Sequence, residues 1–480
     1  MNTTKTTYTF LLDGQWYESE SKETIEISSP YKEELVGRVQ AMTKPEVDRA
    51  IASAKAAQTT WAKQPANKRA ELLHAWATEL EKRADEIGEV IMREVGKGRA
   101  DGVKEVKRTA EIIRYTAEEG LRFDGQMMQG DSFPGGSAKK LAVIKKAPLG
   151  VVLAISPFNY PVNLAAAKLA PALMTGNAVV FKPATQGSIS GILMIEALVA
   201  AGLPSGLVNV VTGRGSVIGD YLTAHPGIDM ITFTGGTGTG RHLSRQSAMI
   251  PLVLELGGKD PALVLEDADL SLAADHIISG AFSYSGQRCT AIKRVFVLDH
   301  QADALVDELT TRIAKLTVGS PEDDSVVVPL IDTKSADYVE GLITDAKDQG
   351  ATIVTGGNRT NNLIEPTLID NVTRDMRVAW EEPFGPVLPI IRVSSVEEMI
   401  AYSNESEYGL QASVFTENID SAFAVADALE TGSVQINGRT ERGPDHFPFI
   451  GVKSSGLGVQ GVGRSLASMT RDKLTVLNLK

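Results

Sequence analysis

From Val151 onward, short apolar runs alternate with helical runs at a steady pitch. Residues 151–155 read as a buried strand, and Ser156-Pro157 ends it, because a residue before proline avoids the helical region. A helix opens near Pro161, since proline is tolerated in a first turn, and it ends at Gly176. Strands are expected at 178–182, 207–211 and 230–233, with helices between them at 188–201 (closed by Gly202) and 215–224. A glycine-rich loop, Gly235 to Gly240, and another helix follow. Strands and helices at this pitch imply parallel strands joined by right-handed crossovers. That is a doubly wound, Rossmann-type α/β domain. After a hinge at Leu256-Gly257-Gly258 the pattern restarts, with strands at 262–265, 294–298 and 352–355, as a second α/β domain.

The ends of the chain add smaller pieces. Asp13-Gly14 between apolar runs predicts a hairpin across 10–17. Val47, Ala50, Ile51, Ala54 and Ala57 share one helical face, and a second helix is expected over 68–94. Gly130, Pro134, Gly135 and Gly136 mark a turn and 141–144 reads as a strand, the pattern of an arm leaving the main body. Residues 474–479 form a short strand able to pair with that arm. With a net charge of −12 and a pI near 5.2, the chain lacks the basic face that nucleic-acid binding needs. Its one cysteine permits no internal disulfide and fits a reducing compartment. Met1 to Phe10 is polar, unlike a signal peptide, and no stretch approaches the roughly 18 apolar residues that span a bilayer. A cytoplasmic protein without nucleic-acid or membrane partners is expected.

The lone cysteine, Cys289, lies in Tyr284-Ser285-Gly286-Gln287-Arg288-Cys289-Thr290, a small, polar loop after an expected helix. A buried, inert thiol is one reading. Against it stand the loop setting and Arg288, whose charge would favour a thiolate. None of the histidines (His74, His225, His242, His276, His300, His446) sits in a motif that would make it the cysteine's base. No paired Cys or His spacing points to a metal. A thiol without a histidine needs a reactive electrophile, such as an aldehyde carbonyl. Attack would create an oxyanion that requires hydrogen-bond donors. Asn159, between Pro157 and Pro161 at a strand's carboxyl end, is either such a donor or simply a turn residue. Hydride loss would leave a thioester, which water cleaves with the help of a base. Glu255 follows three apolar residues, so its carboxylate would be partly desolvated; the alternative is a structural cap or bridge. The stretch from Gly213 to Gly219 and the Gly235 loop miss the strict dinucleotide spacing, yet both follow strands and precede helices, as phosphate sites do. Lys182 and Thr185 bring no acid to repel a 2′-phosphate, which leans toward NADP, with NAD as the alternative.

Six ordered motifs over nearly the full chain resemble the aldehyde dehydrogenase superfamily. They are Ser156-Pro157-Phe158-Asn159, Phe181-Lys182-Pro183-Ala184, Phe233-Thr234-Gly235, Leu254-Glu255-Leu256-Gly257-Gly258-Lys259, Gly286-Gln287-Arg288-Cys289 and Glu381-Glu382-Pro383-Phe384-Gly385-Pro386. Segments 108–113, 154–164, 284–290, 330–338 and 406–413 are densest in likeness to one branch, which oxidises glyceraldehyde 3-phosphate with NADP and without inorganic phosphate.

The resemblance implies a Rossmann-type cofactor domain (1–125 and 148–254), an α/β catalytic domain (255–455) and a small β oligomerisation arm (126–147 and 456–480) that builds a homotetramer. It implies Cys289 as nucleophile, Glu255 as base for deacylation, and Asn159 with the Cys289 backbone N–H as oxyanion hole. Glu382 and Phe384 would hold the nicotinamide half of the cofactor. Ser156, Phe158, Lys182, Thr185, Gly215, Gly219, Asp220, Gly235 and Gly236 would line the rest of its cleft. Arg108, Asn159, Tyr160, Arg288, Thr290 and Arg442 would meet the phosphorylated aldehyde. Three arginines in one cavity would repel one another unless a dianion bound; the alternative is that each pairs with an acid at the surface. Gly236 departs from the serine common in the superfamily, which removes a side-chain contact to the cofactor diphosphate. A dehydrogenase of a semialdehyde or lactaldehyde is the alternative within the family.

Overall fold

The computed structural model describes residues 6–480. Met1 to Lys5, part of the stretch that reads as no signal peptide, lie outside the described residues. The expected hairpin forms from Phe10–Leu12 and Gln15–Tyr17, and Asp13 (φ 49°) and Gly14 (φ 76°) both take the left-handed conformation its turn requires. Helix α1 (Lys44–Trp61) opens with a reciprocal cap: Thr43 Oγ1 accepts the Glu46 N–H, and the Glu46 carboxylate accepts the Thr43 N–H.

The single helix expected over 68–94 is two helices, α2 (Ala66–Lys82) and α3 (Ala84–Val95). Arg83 breaks the run with φ −101° and ψ 13°, and its guanidinium is tied to Glu86, Glu196 and the Leu193 carbonyl. A one-residue break leaves the apolar period nearly intact, so the pattern does not register it. Helix α4 (Arg99–Leu121) has no counterpart in the sequence reading. Its buried stripe is Val106, Ala110, Ile113 and Ala117, diluted by charge and by Gly102 and Gly120. Gly102 is needed there, because a Cβ would meet the Gly88 carbonyl of α3 at 2.7 Å.

The first large sheet has six strands in the order Val208–Val210, Ala178–Lys182, Val151–Ile155, Met230–Thr234, Leu252–Glu255 and Gly456–Leu457. The first five run parallel, and the last returns antiparallel from the far end of the chain. Helices α5 (Asn163–Met174), α6 (Ser188–Ala200), α7 (Gly215–Thr223) and α8 (Thr237–Gln246) supply the crossovers. Since α8 begins at Thr237, Gly238 and Gly240 are helical rather than part of a loop.

A second sheet of seven strands runs in the order Thr352–Thr355, Thr367–Asp370, Val387–Val393, Arg294–Leu298, Pro261–Val264, Gln411–Phe415 and Ser433–Ile436. All are parallel except the first pair. Helix α9 (Leu270–Phe282) packs on this sheet. The arm is a third sheet of Gln126–Gln129, Lys140–Pro148 and Thr470–Asn478. The terminal strand starts at Thr470, earlier than expected, and pairs with Lys140–Pro148 through nine residues. Its apolar side chains stay outside: Phe133 is 76% exposed, Met127 65% and Leu474 58%. No helix among the described residues is long and apolar enough to cross a membrane.

This architecture gathers polar groups at one edge. Lys182 sits opposite Ile155, just before Ser156, and Thr234 sits opposite Glu255. The carboxyl ends of four adjacent parallel strands thus present Ser156, Lys182, Thr234 and Glu255 together, where doubly wound sheets bind ligands.

Candidate active site

The turn between α9 and the strand Arg294–Leu298 carries Cys289. Tyr284 (φ 52°), Ser285 (φ 55°) and Gly286 (φ 68°) are left-handed in succession. Strain of this kind persists only where surroundings impose it. Here Ser285 Oγ donates to the Val328 carbonyl at 2.6 Å and accepts its N–H at 2.7 Å, while the Tyr284 hydroxyl donates to the Val95 carbonyl at 2.7 Å. The half-buried Cys289 is therefore held rigidly. Dense surroundings push its thiol up to about 11, mainly by desolvation, with Lys293 pulling down and Glu255, Asp260 and Glu382 pushing up. Arg288 interacts electrostatically with the Cys289 thiolate while its buried guanidinium donates to the Gly280 carbonyl, and Lys293 is a second cation that pulls the thiol down. Lys293 Nζ donates to the Cys289 carbonyl and pairs with Glu382 Oε1 at 3.0 Å.

Asn159 is buried, and its Nδ2 donates to the Gln287 carbonyl at 2.9 Å. That bond uses one amide hydrogen and aims the side chain at the turn bearing Cys289, leaving the second hydrogen for another acceptor.

Glu255 is buried within a cage of donors. Arg442 Nη1 reaches its two oxygens at 2.9 and 3.1 Å, the Thr234 hydroxyl donates at 2.8 Å, and Lys168 Nζ lies 3.9 Å away. Desolvation was foreseen; the two cations were not. Lys168 is fully buried and donates to Thr234 Oγ1 at 2.6 Å. Burial pushes its ammonium down to about 8, against the pull of Glu255. The one signal for Lys168 was a lone charge in the apolar helix Asn163–Met174.

A cavity of 260 Å³ opens between these groups. Cys289, Glu255 and Thr290 share its wall with Arg108, Tyr160, Arg288 and Arg442, so the sequence-predicted substrate residues converge, apart from Asn159, which does not line the wall and is bonded to Gln287. The repulsion argument is corrected. Asp445 takes Arg108 in a fork at 2.7 and 2.9 Å, and Glu255 takes Arg442. Asp445, which the sequence reading did not single out, neutralises Arg108 from beside the cavity rather than from the open surface. A bound anion would therefore compete with carboxylates for these guanidiniums.

The cofactor candidates lie along the carboxyl edge of the first sheet and beyond. Ser156 Oγ is buried without a hydrogen-bond partner. Lys182 is 7% exposed and, among the described residues, has only the Pro183 carbonyl at 3.4 Å; burial pushes it down to about 8. Buried polar groups left unpaired in this way fit a polar, anionic ligand. Gly215, Gly219 and Gly236 have open space where a Cβ would stand, as close approach by a ligand requires. Gly235 spends its N–H on the Glu255 carbonyl at 3.1 Å, and a Cβ there would meet the Phe233 ring at 2.5 Å. Asp220 is exposed and pairs with His242 at 2.8 Å; the Thr185 carbonyl receives the Ser188 hydroxyl. Glu382 accepts the Gly258 N–H at 3.0 Å beside its Lys293 pair. Phe384 is left-handed (φ 48°) and meets Phe158 edge-on, 6.0 Å between ring centroids.

Comparisons with known proteins agree with this geometry. The model of the aldehyde dehydrogenase family matches residues 16–475. A NADP-dependent glyceraldehyde-3-phosphate dehydrogenase of Streptococcus equinus is 56% identical over 98% of this chain and 99% of its own. The enzyme of that name from Pisum sativum is 52% identical over 98% and 95%. The crystal structure of NADP-dependent glyceraldehyde-3-phosphate dehydrogenase from Bacillus halodurans C-125, complexed with NADP, is 61% identical and superimposes with a TM-score of 0.98 over 99% of this chain and 100% of that one. The chain belongs to the aldehyde dehydrogenase family.

Proposed function

We propose that this protein oxidises D-glyceraldehyde 3-phosphate to 3-phosphoglycerate with NADP, through a thioester on Cys289 that water hydrolyses, without inorganic phosphate. The observation that carries the reading is the single cavity in which the Cys289 thiol and the Glu255 carboxylate meet Arg108, Arg288, Arg442 and Tyr160. Near relatives are named NADP-dependent glyceraldehyde-3-phosphate dehydrogenase, which supports the substrate and the cofactor.

Cys289 Sγ attacks the aldehyde carbon as the thiol gives its proton to water in the cavity. Lys293 offsets part of the thiol's resistance to ionising. The free amide hydrogen of Asn159 and the Cys289 backbone N–H receive the developing oxyanion, a contribution of about 10²–10³ in rate per donor. NADP, when bound, accepts the hydride. Lys182 and Ser156 are the groups of this chain that would hold its ribose-phosphate end, and Glu382 and Phe384 its nicotinamide end. Glu255 then takes a proton from water, which attacks the thioester carbonyl. To do so its carboxylate turns from Arg442, whose guanidinium the substrate phosphate claims.

The domain division given above, with arm and terminal strand joining four copies, belongs to this reading; the exposed apolar side chains of the arm support it. A cytoplasmic location is proposed on the single free thiol. The test is reduction of NADP at 340 nm with glyceraldehyde 3-phosphate in phosphate-free buffer. Turnover that needs inorganic phosphate, or that is as fast with unphosphorylated aldehydes, overturns the reading.

A further inference from the structure

A buried ion pair lies against the cavity wall with no part in the chemistry above. Lys97, 2% exposed, occupies the turn between α3 and α4, set by Gly96 at φ +70°. Its Nζ donates to Glu105 Oε2 at 2.5 Å. The same ammonium stands 3.7 Å from the centroid of the Tyr160 ring and 5.0 Å from that of Tyr284. The other oxygen of Glu105 accepts the N–H groups of Val162 and Asn163 at 3.0 and 3.1 Å. Lys97, Glu105 and Tyr160 all line the cavity that contains Cys289.

A buried ion pair is weak evidence for stability, because desolvation offsets most of its attraction. Its position is more informative. Glu105 fixes the backbone two and three residues beyond Tyr160, and Lys97 fixes the ring. A cation on the face of a phenol also draws electron density from it, which strengthens the hydroxyl as a donor. That hydroxyl carries no hydrogen bond among the described residues. Its neighbours are engaged: Arg108 with Asp445, Arg442 with Glu255 and Arg288 with the Gly280 carbonyl. Tyr160 is thus a donor already oriented and waiting, as is the buried Arg288 Nε, while Arg108 and Arg442 exchange a carboxylate when an anion arrives.

We propose that Lys97 and Glu105 are positioning residues that preset Tyr160 for the substrate's phosphate and thereby set the preference for a phosphorylated aldehyde. The inference rests on the function proposed above. The experiment compares kcat/KM for glyceraldehyde 3-phosphate and for unphosphorylated glyceraldehyde in wild type, Lys97→Met, Lys97→Arg, Tyr160→Phe and the Lys97→Met/Tyr160→Phe double variant. Lys97→Met is expected to lower kcat/KM on the phosphorylated substrate about tenfold more than on glyceraldehyde, through KM rather than kcat. Lys97→Arg restores much of that difference, and Tyr160→Phe adds under about twofold in the Lys97→Met background, because both act through one hydroxyl. Equal losses on both substrates, or full additivity with Tyr160→Phe, overturn the proposal. A wild type without preference for the phosphorylated substrate overturns the proposed function instead. Should Lys97→Met fail to fold, Lys97→Gln carried through the same substrates decides by the same criteria.

Discussion

Replacing Glu255 by Gln separates the two halves of the proposed cycle. The amide keeps the shape of the carboxylate and still accepts the Thr234 hydroxyl, which now donates at 2.8 Å. It loses the charge that Arg442 meets at 2.9 Å and Lys168 at 3.9 Å. Two unit charges about 3 Å apart attract by roughly 5.5 kcal/mol at an effective dielectric of about 20. Desolvation cancels much of this, and removing one partner of a buried pair costs about 3–5 kcal/mol in net stability. Since the Thr234 bond survives, the lower end is expected, read as a reduced urea midpoint. The kinetic consequence is larger. A general base contributes about 10²–10⁴, and only the hydrolytic step needs this one. Rapid mixing of the variant with excess NADP and glyceraldehyde 3-phosphate should show a burst of close to one NADPH per site, followed by turnover slowed about 10²–10⁴-fold. Wild type should show no comparable separation of phases if its own hydrolysis keeps pace. A variant that loses less than about tenfold in steady state, or loses the burst itself, removes Glu255 from the role of hydrolytic base.

Further outcomes follow from other groups. Lys182 is depressed to about 8 in the folded protein, so its ammonium is present below pH 8 and lost above it. If it meets the 2′-phosphate, KM for NADP should climb by up to roughly tenfold per pH unit above that point, and Lys182→Met should abolish the climb. Asn159→Ala should lower kcat about 10²–10³-fold, measured as NADPH formation, and lower Tm through loss of the buried bond to the Gln287 carbonyl, a cost of about 1–3 kcal/mol. Arg442→Ala should cost far more on glyceraldehyde 3-phosphate than on glyceraldehyde; equal losses point to another aldehyde as the natural substrate. Removing 470–478 strips the nine-residue pairing from the arm, and size-exclusion chromatography should then report a smaller species than the full chain.

The regular part of the fold was legible because both of its periods are local. Strands 151–155, 178–182 and 294–298 are apolar apart from Lys182 and Arg294 at their ends, and Gly150, Pro157, Gly176 and Pro183 punctuate the first two. Helix α4 was not legible, since its contacts with α2, α3 and α5 decide its burial and its own sequence is largely charged. Four strands of the second sheet escaped for a related reason: they are brought together from 367 to 436 by pairings that short apolar runs do not announce. Within the site, Cys289 and Asn159 stood out by type and loop position, and Glu255 as a carboxylate at the end of an apolar strand. Asp445, Lys293 and Glu105 did not, because a charged residue gains its meaning from a partner far away in sequence. Arg108 illustrates this: its carboxylate lies 337 residues downstream.

The strand Gly456–Leu457 closes the first sheet beside Glu255, and the Ser455 carbonyl receives the Leu256 N–H at 2.9 Å. Arg442 reaches Glu255 from the same late stretch and is itself steadied by Gln460 at 2.9 Å. On a ribosome, then, Cys289 and Glu255 emerge long before the pieces that complete their surroundings.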